Sequence, residues 1–249
     1  MPLLLIDLDN TLIDRTEAFR RWAQRYVDDI EASEADADWL SSVERDGYTP
    51  RIEVAEAMRT RWGIEASIEE IVEDLLLGHL VDIELDKEVV AALDRATRLG
   101  WHPVVVTNGT TRQQELKLGR TGLDQHVRGW VISEAVGVSK PHQRIFALAG
   151  ELAGLPLQGG WMIGDHPLAD VGGGHAAGLS TVWLRRGRTW PSASPQPTCI
   201  ADSFPQAIDL VLTGGEALET CESDGTTGEV RTDTADGALE VAFSAIPEG

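Results

Sequence analysis

Little in this chain of 249 residues invites disulfide or zinc chemistry. It holds two cysteines, and Cys221 falls in an acidic stretch near the end, so no disulfide framework is expected and a reducing compartment is the default. The six histidines show neither HxxxH nor HxH spacing. Basic residues are also scarce. The 21 Lys and Arg stand against 41 Asp and Glu, a formal net charge of -20, which argues against general binding to nucleic acid or to an anionic membrane. The opening "PLLLI" is too short for a signal peptide and lacks its basic flank, and nothing later approaches a membrane-spanning run. A cytoplasmic protein is expected.

What is present is ordinary core-forming material, 42% hydrophobic and 25% charged. Leu3 to Leu8 read as a short central parallel strand buried on both faces. A long helical region follows. Asp14 and Glu17 have capping-box spacing ahead of Phe19, Trp22, Ala23, Tyr26 and Val27. The acidic "EASEADAD" reads as a connector. Ile52, Ala55, Met58 and Trp62 mark a further helix, and Ser67 with Glu70 offers a second capping box. From about Asp86 the texture changes to strands alternating with helices. "HPVVVT", "VRGWVIS", "GGWMIG", "LSTVWL" and "TCIAD" are the strand-like pieces. Helices are expected at about 111–120, 141–152 and 168–177, with a last one at "PQAIDLVL".

That alternation means βαβ units and an open parallel sheet flanked by helices, an α/β Rossmann-like core. The expected organisation is a core from residues 1–14 and 85–212, with an all-helical cap, 15–84, inserted after the first strand. A tail, 213–249, completes it. From Gly214 onward nine acids face the single Arg231 in a stretch rich in Gly, Thr, Ala and Ser, a composition expected to be disordered.

In an open α/β sheet, ligands sit beyond the carboxyl ends of the strands. The first strand delivers Asp7, Asp9 and Thr11 there, and the second delivers Thr107, Asn108 and Gly109. Lys140 precedes the helix at Pro141, and "WMIG" delivers Asp165, with Asp170 five residues on. Residues two apart in extended chain share a side, so Asp7 and Asp9 can face one ligand. Carboxylates with few histidines suit a hard cation such as Mg²⁺, and a lysine beside them points to an anionic substrate such as phosphate.

Each fragment has a blander reading. An Asp pair after a strand is commonly turn and cap chemistry, "TNG" a strand-to-helix turn, and Lys140 a solvated helix-start lysine. "GDHPLAD" reads equally as an N-cap Asp with a helix-face Asp. Those readings do not explain why all four fragments fall in order at strand ends. Rival motifs fare worse. "DLDNT" begins like an EF-hand loop, but Leu12 and Ala18 occupy the positions that need Gly and Glu. "GGGHAAG" loosely resembles a dinucleotide fingerprint, yet Asp165 intervenes where a pyrophosphate would be repelled.

As an ordered set the four fragments resemble the haloacid dehalogenase superfamily of hydrolases. "DLDNT" matches its first motif and "VVVTNG" its second. Lys140 in "VSKPHQRIF" matches the third, and "IGDHPLAD" the fourth. The helical insertion is similar to that family's C1-type cap. The resemblance implies Asp7 as a nucleophile that forms an aspartyl-phosphate and Asp9 as the acid and base. It implies Mg²⁺ held by the Asp7 and Asp165 side chains and the Asp9 backbone carbonyl. Thr107 and Asn108 would bind the phosphoryl group and Lys140 would offset its charge. Thr11 and Asp170 would support from behind, Asp170 orienting Lys140 or metal-bound water.

Asp9 favours phosphate over halide chemistry, because a departing halide needs no proton. The expectation is a Mg²⁺-dependent phosphomonoesterase acting on a small soluble phosphate ester. A phosphotransferase or sugar-phosphate mutase on the same scaffold is the alternative, and a non-catalytic binding protein is the reading from another class. Arg15, Arg20, Arg21, Arg25 and Arg51 are possible contacts for a second anionic group, although solvated helix faces explain each of them as well.

Overall fold

The computed structural model describes residues 1–191 and 194–215, which all belong to one compact unit. The acidic tail expected over 213–249 lies almost wholly outside the described residues. In chain order the elements are β1 (Leu3–Ile6), α1 (Arg15–Asp29), α2 (Glu34–Glu44), α3 (Arg51–Trp62), α4 (Ile68–Leu77) and α5 (Lys87–Arg98). Then come β2 (His102–Thr107), α6 (Thr111–Thr121), β3 (Trp130–Ile132), α7 (Ser133–Val136) and α8 (Gln143–Ala153). The chain continues through β4 (Trp161–Gly164), α9 (Gly173–Ala176), β5 (Ser180–Leu184), β6 (Cys199–Ala201) and α10 (Phe204–Leu212).

The six strands form one parallel sheet in the order β3-β2-β1-β4-β5-β6. The chain winds outward in both directions from β1, so the crevice where the winding reverses lies at the ends of β1 and β4. Ile6 pairs in register with Val105 on one side and Ile163 on the other, and the Asp7 N–H donates to the Ile163 carbonyl at 2.9 Å. The two-sided register of Ile6 and this bond therefore fix the residue that leaves β1.

The alternation of a strand explains the "LLLI" run. Leu4 and Ile6 join the apolar cluster under α5 and α10, while Leu3 and Leu5 join the cluster under α8. Helices α1 to α4 enclose a third cluster of their own, built from Phe19, Trp22, Leu40, Met58, Leu75 and neighbours.

Local chemistry sets the helix starts. Asp14 accepts from the Glu17 N–H at 3.1 Å, and Ser67 and Glu70 close a reciprocal capping box. The segment read as a connector is instead largely helical. Ser33 and Asp36 form a second capping box, and α2 begins at Glu34. Acids crowded at a helix start are favoured by the partial positive charge there, so "EASEADAD" is a helix beginning and not a linker.

Candidate active site

One loop carries the first two carboxylates, Asp7 and Asp9. After β1 the chain turns through Asn10, which holds φ at 61°, a left-handed value that Asn tolerates better than most residues. Its side-chain oxygen accepts from the Thr16 N–H and hydroxyl, both at 2.9 Å, tying the turn to the start of α1. The turn leaves Asp7 buried and Asp9 partly open to a cavity of about 290 Å³.

Lys140 lies between two acids. Its Nζ donates to Asp7 Oδ1 at 2.6 Å and to Asp170 Oδ1 at 2.7 Å, and all three side chains are buried. The Thr11 hydroxyl approaches Asp7 Oδ2 at 3.4 Å. Asn108 fixes the lysine from behind. Its amide donates to the Lys140 carbonyl at 3.1 Å and its oxygen accepts from the Lys140 N–H at 2.9 Å. Asp165 stands at the end of β4. Its carbonyl accepts from the Trp183 indole at 2.8 Å, and its Oδ2 accepts from Arg188 Nη2 at 2.9 Å.

One carboxylate oxygen each from Asp7, Asp165 and Asp170 lies within 4.8 Å of the others. An all-oxygen set of this kind fits a hard divalent cation such as Mg²⁺, which takes one or two carboxylates and keeps several waters. The electrostatics agree. Burial raises the pKa of Asp7 well above its ordinary value, Lys140 lowers it, and the neighbouring Asp170 and Asp165 raise it again. Lys140 alone therefore does not keep Asp7 ionised, because it is shared with Asp170. Asp165 is pushed up to about 7, by burial first and by Asp170 second. Burial works against the Lys140 charge, but Asp170 and Asp7 outweigh it and raise its pKa.

Asp9 has a different neighbourhood, which sequence reasoning missed. Lys117 Nζ is 2.8 Å from each of its oxygens, and Gln114 Nε2 donates to its Oδ2 at 3.0 Å and to the Thr107 hydroxyl at 2.6 Å. Both partners sit three residues apart on α6, hence on one face of that helix. Burial raises the pKa of Asp9, but Lys117 and then Arg15 more than offset it, leaving it at about 2. The available signal was two long polar side chains at helical spacing, Gln114 and Lys117, in the helix that follows "TNG". It is indistinguishable in sequence from a solvated face.

The turn after Asp165 is also unlike the expected helix. Residues Pro167–Gly172 form a π-helical turn that runs into α9, and His166, not an Asp, caps it. His166 Nδ1 accepts from the Leu168 and Ala169 N–H groups at 3.1 and 2.9 Å. This turn carries Asp170 back over Gly164, where a Cβ would meet the Asp170 carboxyl group at 2.3 Å. Across the cavity mouth Tyr48 packs edge-to-face on His166, with ring centroids 5.1 Å apart.

Three acids and a lysine are gathered at the switch point of an open parallel sheet, the place where α/β proteins of this class bind their ligands. The chain matches the haloacid dehalogenase-like hydrolase family over residues 1–178, and it belongs to that family. It is 46% identical over 108 residues to the pyrimidine 5'-nucleotidase YjjG of Escherichia coli, covering 43% of this chain and 48% of that one. It is 38% identical over 110 residues to the phosphoserine phosphatase of Thermus thermophilus, covering 43% and 44%. The chain spans about half the length of the curated relatives it matches. Among solved structures, YfnB from Bacillus subtilis bound to magnesium superposes with a TM-score of 0.67 at 22% identity, over 84% of this chain and 98% of that one. The L-2-haloacid dehalogenase of Xanthobacter autotrophicus gives 0.69 at 16%, over 85% and 99%, a likeness of fold.

Proposed function

We propose that the protein is a Mg²⁺-dependent phosphomonoesterase that hydrolyses a small soluble phosphate ester through an aspartyl-phosphate. The observation that carries this reading is the pair of acids on one turn with opposite settings, Asp7 beside Lys140 and Asp170, Asp9 beside Lys117. A haloacid dehalogenase needs the first acid alone. A phosphatase needs a second one to handle the proton of the leaving oxygen.

Asp7, Asp165 and the Asp9 carbonyl would hold the cation, which supplies positive charge opposite the phosphoryl oxygens. A carboxylate oxygen of Asp7 attacks phosphorus, the ester P–O bond breaks, and the leaving oxygen takes a proton from Asp9. Water then attacks the phosphorus of the aspartyl-phosphate while Asp9 takes up a proton, which releases phosphate and restores Asp7. With Lys117 against it Asp9 starts as a carboxylate, so the proton it hands to the leaving oxygen is first taken from the singly protonated phosphate ester, whose charge beside Asp9 raises the proton affinity of that acid. Thr107, Asn108 and Lys140 would bind and neutralise the phosphoryl group. The helical segment 15–84 would serve as the cap, with Tyr48 meeting His166 at the mouth, and would keep water out during transfer.

The test is phosphate release from a panel of phosphomonoesters with and without Mg²⁺, for the wild type and for Asp7→Asn. Metal-dependent release that disappears in the variant is the expected result. Transfer of the phosphoryl group to a second sugar without net release would move the assignment to the mutase reading.

A further inference from the structure

On the phosphatase reading, the rest of the cavity lining must meet whatever else the substrate carries. Five arginines of the helical segment, Arg15, Arg20, Arg21, Arg25 and Arg51, are candidates for contact with a second anion, and the structure separates them. Arg20 and Arg21 are exposed and pair with Glu17, and Arg25 pairs with Asp82. Arg15 and Arg51 line the cavity.

Both of these reach a single buried acid. Arg15 meets Glu44 through both Nη atoms, while Arg51 Nη1 donates to the same Glu44 Oε1 at 2.6 Å. Glu44 is 1% exposed, so it is one desolvated carboxylate between two guanidinium groups. Arg15 occupies both of its oxygens. Arg51 is left with one shared contact, and its Nη2 has no hydrogen-bond partner among the described residues. A second acid nearby, Asp46, is exposed and accepts from the Thr16 hydroxyl at 2.9 Å. Burial and the neighbouring Arg15 both lower the pKa of Arg51, with Glu44 opposing them. A half-paired cation in that setting is short of negative charge.

Gly47 lines the cavity beside it. Gly47 holds φ at 90°, and a Cβ there would lie 3.4 Å from both Arg15 Cζ and Arg51 Nη2. In the same cavity, Lys140 and a cation held at Asp7 and Asp165 would be committed to the transferring phosphoryl group. They leave nothing over for another anion.

We propose that Arg51 binds a second anionic group of the substrate, a carboxylate or another phosphate. The preferred substrates are then phosphomonoesters with an additional negative charge, and not nucleoside monophosphates or singly phosphorylated neutral sugars. The planar fork of a guanidinium takes either anion through paired N–H groups.

The test compares kcat/KM, with Mg²⁺, within pairs that differ in the second charge. Phosphoserine against phosphoethanolamine probes the carboxylate. Fructose 1,6-bisphosphate against fructose 6-phosphate probes the second phosphate, and uridine monophosphate stands for the nucleotides. The expected result is that one charged member exceeds its partner by about 10- to 100-fold, the range of a charge-assisted contact. Arg51→Met collapses that ratio towards one, and Arg51→Lys restores part of it. A purely structural role would lower both members of a pair alike and leave the ratio standing. A wild-type ratio near one in both pairs overturns the proposal without any variant, as does uridine monophosphate outrunning every charged ester. No release from any ester, 4-nitrophenyl phosphate included, overturns the phosphatase reading itself and this proposal with it.

Discussion

Lys117 Nζ sits 2.8 Å from both carboxylate oxygens of Asp9, and its side chain is 1% exposed. The two residues are 108 positions apart in sequence, and their pairing joins the β1 turn to α6. Gln114 adds a third donor, so most of the lone-pair capacity of Asp9 is already assigned.

A double-mutant cycle on this pair should show strong coupling. Lys117→Met leaves a partly buried acid without its cation, and Asp9→Asn leaves a buried ammonium without its acid. Breaking a buried pair from one side costs about 3–5 kcal/mol. Asp9→Asn combined with Lys117→Met should therefore be more stable than Lys117→Met alone, as read from urea midpoints. Additive losses would mean that the contact contributes nothing as a pair.

The grouping of Asp7, Asp165, Asp170 and Lys140 was legible in sequence for a topological reason. Each follows a strand or opens a helix in a parallel sheet, and parallel strands deliver their carboxyl ends to one edge. Lys117 and Gln114 were not legible, because their importance depends on which face of α6 turns inward. His166 was hidden as a cap because imidazole is not among the usual capping side chains, although its Nδ1 accepts two backbone N–H groups here. The start of α2 was missed because acidity was read as solvation and not as helix-start chemistry.

Gly164 is required by Asp170. A Cβ at that position would lie 2.3 Å from the Asp170 carboxyl group, so Gly164→Ala must push the acid off Lys140. Overpacking of this kind costs about 1–3 kcal/mol. Thermal melts should show that loss, and phosphate release should fall at least about tenfold, since small misplacements of a positioned group are amplified in rate. Full activity in Gly164→Ala would show that Asp170 does not set the Lys140 position.

Cation binding should strengthen as pH rises through neutrality. Asp165 has its pKa pushed up to about 7 by burial and by Asp170. Its folded value lies above the unfolded one, so the fold binds the extra proton and the contribution of Asp165 to stability falls as pH rises from about 4 to 7. A cation must displace that proton at pH 6 but not at pH 8. The Mg²⁺-induced rise in melting temperature should therefore be larger at pH 8, and Asp165→Asn should remove most of the difference. An equal rise at both values would place the cation away from Asp165.

His79 offers the opposite pH dependence. It is fully buried in the turn after α4, its ring edge packs on Phe19 at 5.9 Å, and neither nitrogen has a hydrogen-bond partner among the described residues. Burial first, then the positive charges of Lys117 and Arg15, lower its pKa to about 3, with Asp9 opposing and Arg51 adding to the shift. The folded value lies below the unfolded one, so the imidazole stays neutral in the fold while the unfolded chain takes up a proton below about pH 6.5. The stability that His79 contributes is complete above that pH and is lost as pH falls towards 3. At about 1.36 kcal/mol per unit, the loss between pH 6.5 and 5 is about 2 kcal/mol. Replacing the ring by leucine removes both the unpaired nitrogens and the titration. Urea midpoints of His79→Leu should therefore change less between pH 7 and 5 than those of the wild type. At pH 7 the variant should be at least as stable, because a buried polar group without partners costs about 1–3 kcal/mol. If the two proteins lose stability in parallel on acidification, the acid sensitivity resides in the carboxylates and not in this histidine.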